Sequence, residues 1–543
     1  MEVLFKKIFG RENILSLLNR RVLDLKDGYR QNIAILGNAF IGKSAILQEF
    51  VVNLSSKAIC PIYIEIDKID FSCFVKKYID GLLFNFLSMK SLAQGDSQEI
   101  LLEISKRFIP ATVEQIKKIN LYFEKGKRFE AYRELISLPE IFFSETGIYC
   151  VVILDEFQNL ESLGFPFVFQ ELGKKIMLQR SCLYIVSSSQ LSLAKKIISE
   201  KLSLLFGNFD LVDIPPFDVK TSQEFISWKL LDIESNCLYN NFLIDFTAGY
   251  PFYLDIIFQE VRNTFLLKNE KSVNIDLLAE VLAKLLFEKK GFLNQHFNLV
   301  LKEIEQAGFK RGLTQVLLSL SNGQNKLKNI SKNLSKEQGH ILQKLTRLLE
   351  LGIISKNGNF YYIHDKLFSF WLKTVYQDWY YSFDYFSKSK LINFSELLKK
   401  IINNFCQISQ KDLSDRVIEL FFSFDNEYFQ FNGHRYRLPI FKDIKALKFA
   451  GQEKSGLKAM VARNPDLSWL ILLNEELVSE TDIANFFEQS KKFNLKTEKR
   501  ILIFIKDIEP NARLKALQQK MWVWNLTNLN LLMNFYHKPY FIK

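Results

Sequence analysis

Four short apolar runs punctuate the first two hundred residues: Ile33–Leu36, Ile62–Ile66, Tyr149–Leu154 and Leu183–Ser187. Each is rich in β-branched or aromatic side chains, and the stretches between them carry helical patterns. Strands alternating with helices predict a parallel sheet with covering helices, because parallel neighbours need long crossovers. The stretch from Phe71 to Glu145 reads as wholly helical and polar-faced. It parts the second and third runs more widely than a crossover requires. We therefore read a helical insertion, residues 71–145, inside an α/β core of residues 1–220.

After Ile214-Pro215-Pro216-Phe217 the strand pattern stops. Residues 221–305 predict a helical bundle containing Gly249-Tyr250-Pro251. Within 306–375, Leu313–Leu320, Leu327–Leu334 and the amphipathic Gly339–Leu351 predict three helices. Gly352-Ile353-Ile354 and Phe360–Ile363 then flank Asn357-Gly358, a dipeptide suited to a hairpin turn. Three helices and a hairpin at this spacing predict a winged helix-turn-helix. Residues 376–428 read as a helical, aromatic connector. Residues 429–543 return to mixed α/β, with strands at Trp469–Leu473 and Ile501–Ile505. The predicted fold class is multidomain α/β, as expected of 543 residues, too many for one core.

Composition changes this picture little. With 48% apolar and 24% charged residues the chain is ordinary globular protein. Its 50 Phe, beside many Lys, Ile and Asn, point to AT-rich coding before they point to a stacking surface. A formal charge of +12 favours acidic partners, nucleic acid first. Cys60, Cys73, Cys150, Cys182, Cys237 and Cys406 include no C-x-x-C pair, and the five histidines are scattered. This predicts reduced thiols acting as small hydrophobes in a cytoplasmic protein, with no zinc site. No window approaches the roughly 18–20 apolar residues of a membrane span, and Met1–Phe9 lacks a signal pattern.

The chemistry concentrates in one loop. Residues 37–44, Gly37-Asn38-Ala39-Phe40-Ile41-Gly42-Lys43-Ser44, complete the pattern G-x-x-x-x-G-K-[ST] between a strand run and the helical stretch that opens at Ala45. Gly37 and Gly42 let backbone N–H groups converge on phosphate oxygens. Lys43 is expected to reach the β- and γ-phosphates and the Ser44 hydroxyl to ligate Mg²⁺. Cys150–Leu154 runs into Asp155-Glu156, which places two carboxylates at the sheet edge beside that loop. Asp155 is expected in the Mg²⁺ shell, and Glu156 is expected to polarise the attacking water. The next run ends in Ser187-Ser188-Ser189-Gln190, where Ser189 could touch the γ-phosphate or the water. ATP and Mg²⁺ are the predicted cofactors.

In order, Ile8-Phe9-Gly10-Arg11-Glu12, the loop, Ile153-Leu154-Asp155-Glu156-Phe157-Gln158 and the serine-rich run resemble archaeal-type ATPases of the signal-transducing (STAND) branch related to AAA+ proteins. Gly249-Tyr250-Pro251-Phe252-Tyr253 is similar to that branch's lid motif. Tyr362-Ile363-His364-Asp365-Lys366-Leu367-Phe368-Ser369-Phe370-Trp371 is similar to the end of its winged helix. The resemblance covers about residues 5–375. It implies an AAA+-like P-loop core, a helical lid whose Pro251 packs near adenine, and Arg11 near the base. One departure stands out: Leu204-Leu205-Phe206-Gly207-Asn208 lacks the arginine that relatives carry there, which implies slow hydrolysis or a switch that mainly binds ATP.

Family members often end in a restriction-endonuclease-like domain whose active form holds an Asp and a Glu-x-Lys. Here those positions fall near Lys458 and on Leu472 and Asn474, so residues 429–543 are expected to be a catalytically dead version. Asp466, Glu475 and Glu476 do not restore the spacing and read as surface acids. With 19 Lys/Arg against 11 Asp/Glu over 435–543, this region could still bind nucleic acid, or another protein. Two functions follow. One is an ATP switch that couples nucleotide state to DNA or protein binding, with self-association open. The other is a DNA-binding, initiator-like regulator with a structural nucleotide, offering Lys344 and Arg347 to phosphates. Nuclease activity is the third and least supported.

Overall fold

Four apolar runs and one polar strand build a parallel sheet in the N-terminal half. The computed structural model describes residues 8–54, 56, 58–66, 69–93, 97–202, 209–307, 312–381, 388–431, 433–447, 457–465, 467–492 and 497–542. The chain divides into two compact units. The first spans residues 8–225 and takes in 250–253 and 350–352; the second spans 226–249, 254–349 and 353–542.

In the first unit, β1 (Asn32–Leu36), β2 (Ile59–Glu65), β3 (Tyr149–Asp155), β4 (Cys182–Ser188) and β5 (Phe209–Asp213) pair in parallel in the order β2-β3-β4-β1-β5. The phosphate loop joins β1 to the Lys43–Val52 helix, so this unit is a P-loop core. Central β1 and β4 are buried along their whole length, which is why they read as continuous apolar runs. β5 was not among the four runs. It lies at the sheet edge and exposes alternate residues, so Asp210 and Asp213 break its apolar pattern. β2 starts at Ile59, earlier than Pro61 suggested, because an edge strand tolerates proline.

The 71–145 stretch forms five helices, Phe71–Met89, Gln98–Ser105, Pro110–Glu124, Arg128–Leu135 and Leu138–Thr146. The Asp70 side chain caps the first by accepting from the Cys73 N–H. Phe74, Tyr78, Leu82, Phe86, Tyr132 and Phe142 bury with Ile62, Ile64 and Val152 in one core. Cys60, Cys150 and Cys182 stand in register across β2, β3 and β4. Burial pushes the Cys60 and Cys182 thiols up to about 12 and the Cys150 thiol well above its ordinary range, so they pack as hydrophobes.

The second unit begins with helices at Cys237–Thr247, Pro251–Lys268 (its first turn in the first unit), Ile275–Leu286 and Phe292–Ala307. Helices Leu313–Ser321, Leu327–Leu334 and Gln338–Glu350 follow, then an antiparallel hairpin of β6 (Ile354–Asn357) and β7 (Phe360–Ile363). Lys366–Trp371, Gln377–Tyr381, Lys388–Ser409 and Leu413–Phe421 are helical. A second hairpin, β8 (Glu427–Phe431) with β9 (His434–Leu438), precedes a mixed sheet of β10 (Asp443–Leu447), β11 (Leu457–Arg463), β12 (Ser468–Asn474), β13 (Thr497–Phe504) and β14 (Trp522–Trp524). The first three of these run antiparallel and the last pairs parallel.

That sheet is buried on both faces. Trp469, Ile471 and Leu473 meet the Leu413–Phe421 and Leu526–Phe535 helices on one side. Leu470 and Leu472 meet the Glu480–Lys492 and Pro510–Gln518 helices on the other. Phe421, Phe441, Trp469, Trp522 and Trp524 pack ring against ring, so these aromatics serve the core. The β6–β7 turn is engaged inside the unit. The Asn359 N–H donates to the Tyr428 carbonyl at 3.1 Å, and the Asn357 amide exchanges two hydrogen bonds with the Gln430 backbone at 2.7 and 2.6 Å.

Candidate functional site

The loop after β1 is shaped by what runs past it. The Ile214 N–H donates to the Leu36 carbonyl, and a Cβ on Gly37 would stand 2.8 Å from the Ile214 oxygen, so only glycine fits there. Gly42 adopts φ +95° at the start of the Lys43–Val52 helix, a conformation open to glycine alone at little cost. First-turn N–H groups of that helix have no partner within it and aim partial positive charge at the loop. Ile41 is buried and anchors the loop, Ala39 and Ala45 are exposed, and Ser44 is half-buried in the first turn.

Lys43 is only 4% exposed. Its ammonium donates to the Gly37 and Asn38 carbonyls at 3.0 and 3.1 Å and lies 3.5 Å from Glu156 Oε1. Burial lowers the Lys43 pKa, against the pull of Glu156 and Asp155. Glu156 sits in the left-handed region, φ +54° and ψ 47°, which is uncommon for a non-glycine residue and typical of functional positions. Its Oε2 accepts from Ser189 N at 2.8 Å, Ser189 Oγ at 2.7 Å and Gln158 Nε2 at 2.7 Å. Burial opposes its charge, but Lys43, Gln158 and Ser189 together outweigh burial and hold the pKa below the ordinary value.

Asp155 is fully buried at the end of β3. One oxygen accepts from the Ser187 hydroxyl, the other from the Tyr63 hydroxyl at 2.8 Å. Burial, then Asp155, drives the Tyr63 pKa far up, so its hydroxyl remains a donor. Ser187 Oγ also accepts the Glu156 N–H at 3.3 Å and so ties both acids to β4. Sequence reasoning missed Tyr63 and Gln158. The available signal was Tyr63 itself, a polar-tipped ring inside the aliphatic run Ile62–Ile66.

Residues 250–253 meet the loop within the first unit. Asn38 Nδ2 donates to the Tyr250 hydroxyl at 3.1 Å, and the Phe40 ring, at φ +65°, stacks on Phe252 at 5.1 Å. Pro251 lies between these two contacts as the first residue of its helix. Arg11 is buried away from the loop contacts: its guanidinium donates to the Pro215 carbonyl at 2.8 Å and covers the Phe217 ring at 4.8 Å. Burial lowers its pKa, partly offset by Asp218. Leu204–Asn208, where the arginine is missing, lie outside the described residues, as does Asp466.

The remaining expected residues belong to the second unit. Lys344 and Arg347 are half-buried on the Gln338–Glu350 helix, whose most exposed side chains include Leu342, Gln343 and Thr346. Burial, then Lys336, lowers the Lys344 pKa. Lys458 on β11 pairs with Asp412 at 2.6 Å and Glu475 at 3.3 Å. Leu472 is core, and buried Asn474 accepts from the Glu476 N–H at 2.9 Å. Glu476 itself pairs with Lys506 on the surface. Among the described residues no group of three or more His, Cys, Asp or Glu is placed to hold a metal, and no helix is long and apolar enough to cross a membrane.

No protein-family model matches the chain, and no curated protein does. Among solved structures the chain is similar to the Walker-type ATPase PABY2304 of Pyrococcus abyssi, at 17% identity over 67% of this chain and 96% of that one, with a TM-score of 0.46. It is also similar to the ORC2 protein of Aeropyrum pernix in ADPNP–ADP complexes, at 10% identity over 73% and 97%, TM-score 0.43. For the ORC1 protein of Aeropyrum pernix in complex with DNA the identity is 12% over 73% and 95%, TM-score 0.37.

Proposed function

We propose that this chain is an ATP-binding, slowly hydrolysing switch of the STAND type, related to AAA+ ATPases. The observation that carries the reading is the network Lys43–Glu156–Ser189 behind a complete phosphate loop. A triphosphate entering the loop offers Lys43 oxygens in place of the Gly37 and Asn38 carbonyls, and the start of the Lys43–Val52 helix adds its N–H groups. Mg²⁺ suits the same corner, since Ser44 and Asp155 present only oxygen donors. Both Asp155 oxygens already accept hydroxyl hydrogen bonds, so this carboxylate is set to hold the ion's water shell. Bound there, Mg²⁺ neutralises phosphate charge.

In hydrolysis a water oxygen bonds to the γ-phosphorus as the bond to the β,γ-bridging oxygen breaks, and ADP leaves with the electron pair. Glu156, ionised and steered by Ser189 and Gln158, orients that water and accepts its proton for release with phosphate. The absence of arginine from Leu204–Asn208 supports a slow step. Asn38 with Tyr250, and Phe40 with Phe252, tie the loop to the lid motif, so a loop rearranged by a γ-phosphate changes what Tyr250–Tyr253 can hold. Residues 306–375 act as the winged helix of this switch, and 429–543 as a nuclease-like domain without its acids.

A second reading is a DNA-binding regulator with a structural nucleotide. Exposed Lys328 and Lys332, one turn apart on the Leu327–Leu334 helix, and Lys336 beside Lys344 favour it, since they concentrate positive charge. The engaged β6–β7 turn disfavours it. Hydrogen exchange on the whole chain separates the two. A switch protects 37–44 with ATP or ADP alike but alters exchange in 250–268 only with a non-hydrolysable ATP analogue. Identical patterns with both nucleotides would make the nucleotide structural.

A further inference from the structure

The second unit contains a cavity of about 290 Å³ that has no part in the nucleotide site. Its walls are aromatic: Phe242 and Phe246 from the Cys237–Thr247 helix, Tyr361 from β7, Phe370, Phe405 and Phe535. Phe246 meets Phe370 edge to face at 4.9 Å and Phe242 meets Phe405 at 5.7 Å, so these rings form one continuous lining. Asp245 is the one acid among the lining residues, and it is already neutralised. It accepts from Lys366 at 2.8 Å and from the Tyr540 N–H at 2.9 Å, while the Lys366 ammonium also covers the Tyr540 ring.

The polar lining also holds Lys373, Lys538, Asn404 and His537, together with Ser321, Asn325, Ser369 and Asn534. Lys538 adds a second positive charge: it helps to lower the Glu419 pKa, but Glu419 forms its ion pair with Lys411 at 2.8 Å. Among the described residues the side chains of Lys373 and Asn404 have neither a hydrogen-bond nor an ion-pair partner. His537 is open to solvent yet crowded by the cavity wall; that crowding, then the charges of Lys373 and Lys366, lowers its pKa. A neutral His537 can donate one N–H. The chemistry is an aromatic slot whose lining includes the ammoniums of Lys373 and Lys538 beside neutral polar groups.

We propose that this cavity is a second ligand site, for a small aromatic anion no larger than a mononucleotide. The ring lies against Phe242, Phe370 and Phe405, and the phosphate or carboxylate is met by Lys373 with Asn404 and His537. The volume sits at the low end of small-molecule pockets, which suits a ligand of that size. The site stands independently of the ATP reading. It joins the helical bundle, the β6–β7 hairpin, the Lys388–Ser409 helix and the chain segment 537–539, so an occupant biases how these pack.

The test uses the full chain carrying Lys43→Ala, so that the phosphate loop does not report, and titrates AMP, GMP, CMP, UMP, 4-hydroxybenzoate and inorganic phosphate by calorimetry. At least one aromatic anion is expected to bind saturably and about tenfold or more tighter than inorganic phosphate. Lys373→Glu should weaken that binding about tenfold or more, while Lys271→Glu, on an exposed residue elsewhere, leaves it unchanged. A mononucleotide winning identifies a phosphate ligand; hydroxybenzoate winning identifies a carboxylate. No saturable binding, equal binding of inorganic phosphate, or binding indifferent to Lys373→Glu would overturn the proposal.

Discussion

Glu156 keeps a left-handed backbone although it is not glycine, a strain of order 1–3 kcal/mol that its surroundings must offset. They do so through three hydrogen bonds to one carboxylate oxygen and through Lys43 opposite the other. Glu156→Gln should therefore bind ATP but hydrolyse it about 10²–10⁴-fold more slowly in single-turnover assays. Unchanged turnover would remove Glu156 from the chemistry. Tyr63→Phe takes one of two hydroxyl donors from the buried Asp155, and unfolding of the first unit should become easier by roughly 1.5–3 kcal/mol. Both acids and the loop were legible because their spacing is local. Tyr63 was not, since it reaches Asp155 across 92 residues of chain and no local pattern encodes that contact.

At the scale of elements, the loop's grip on the lid motif is two contacts. Tyr250→Phe deletes the acceptor of Asn38, and Phe252→Ala deletes the ring under Phe40. Together they should uncouple nucleotide binding from exchange in 250–268 while leaving ATP affinity within about threefold, because neither touches Lys43. The β6–β7 hairpin carries a pH dependence of its own. His364, beside Ser355 of β6, is held at about 4 against an ordinary 6.5 because burial disfavours its charged form. Between those values the unfolded chain binds a proton that the folded chain refuses, so stability falls as pH drops from about 6.5 to about 4. His364→Gln should flatten that slope in denaturation measured across the window. Elements with a clear apolar period were the legible ones. The Leu327–Leu334 helix matches the sequence reading to the residue, β12 extends its reading by one residue at each end, and β13 starts four residues earlier and ends one short of its reading. Among the missed strands, β9 carries His434, Arg435 and Arg437 outward and β10 exposes Lys445 and Ala446, whereas β11 was missed although Ala459–Ala462 are buried, because Lys458 and Arg463 bracket a short run.

Across the whole molecule, the parallel sheet, the inserted helices and the later return to mixed α/β were all readable, because each buries a periodic apolar face. The role of the aromatics was readable only in part. Composition left open a stacking surface, whereas Phe421, Trp469 and Trp524 are spent on the core of the last sheet. The cavity in the second unit was not readable at all, since its wall gathers residues from Phe242 to Pro539. Function therefore rests most heavily on the phosphate loop, and calorimetric titration of Mg-ATP into the wild-type chain and Lys43→Ala tests it most directly. The account predicts one ATP per chain for the wild type and a loss of roughly 2–5 kcal/mol, about 30-fold or more in affinity, when the buried ammonium is removed. Equal affinity in the two proteins would contradict it.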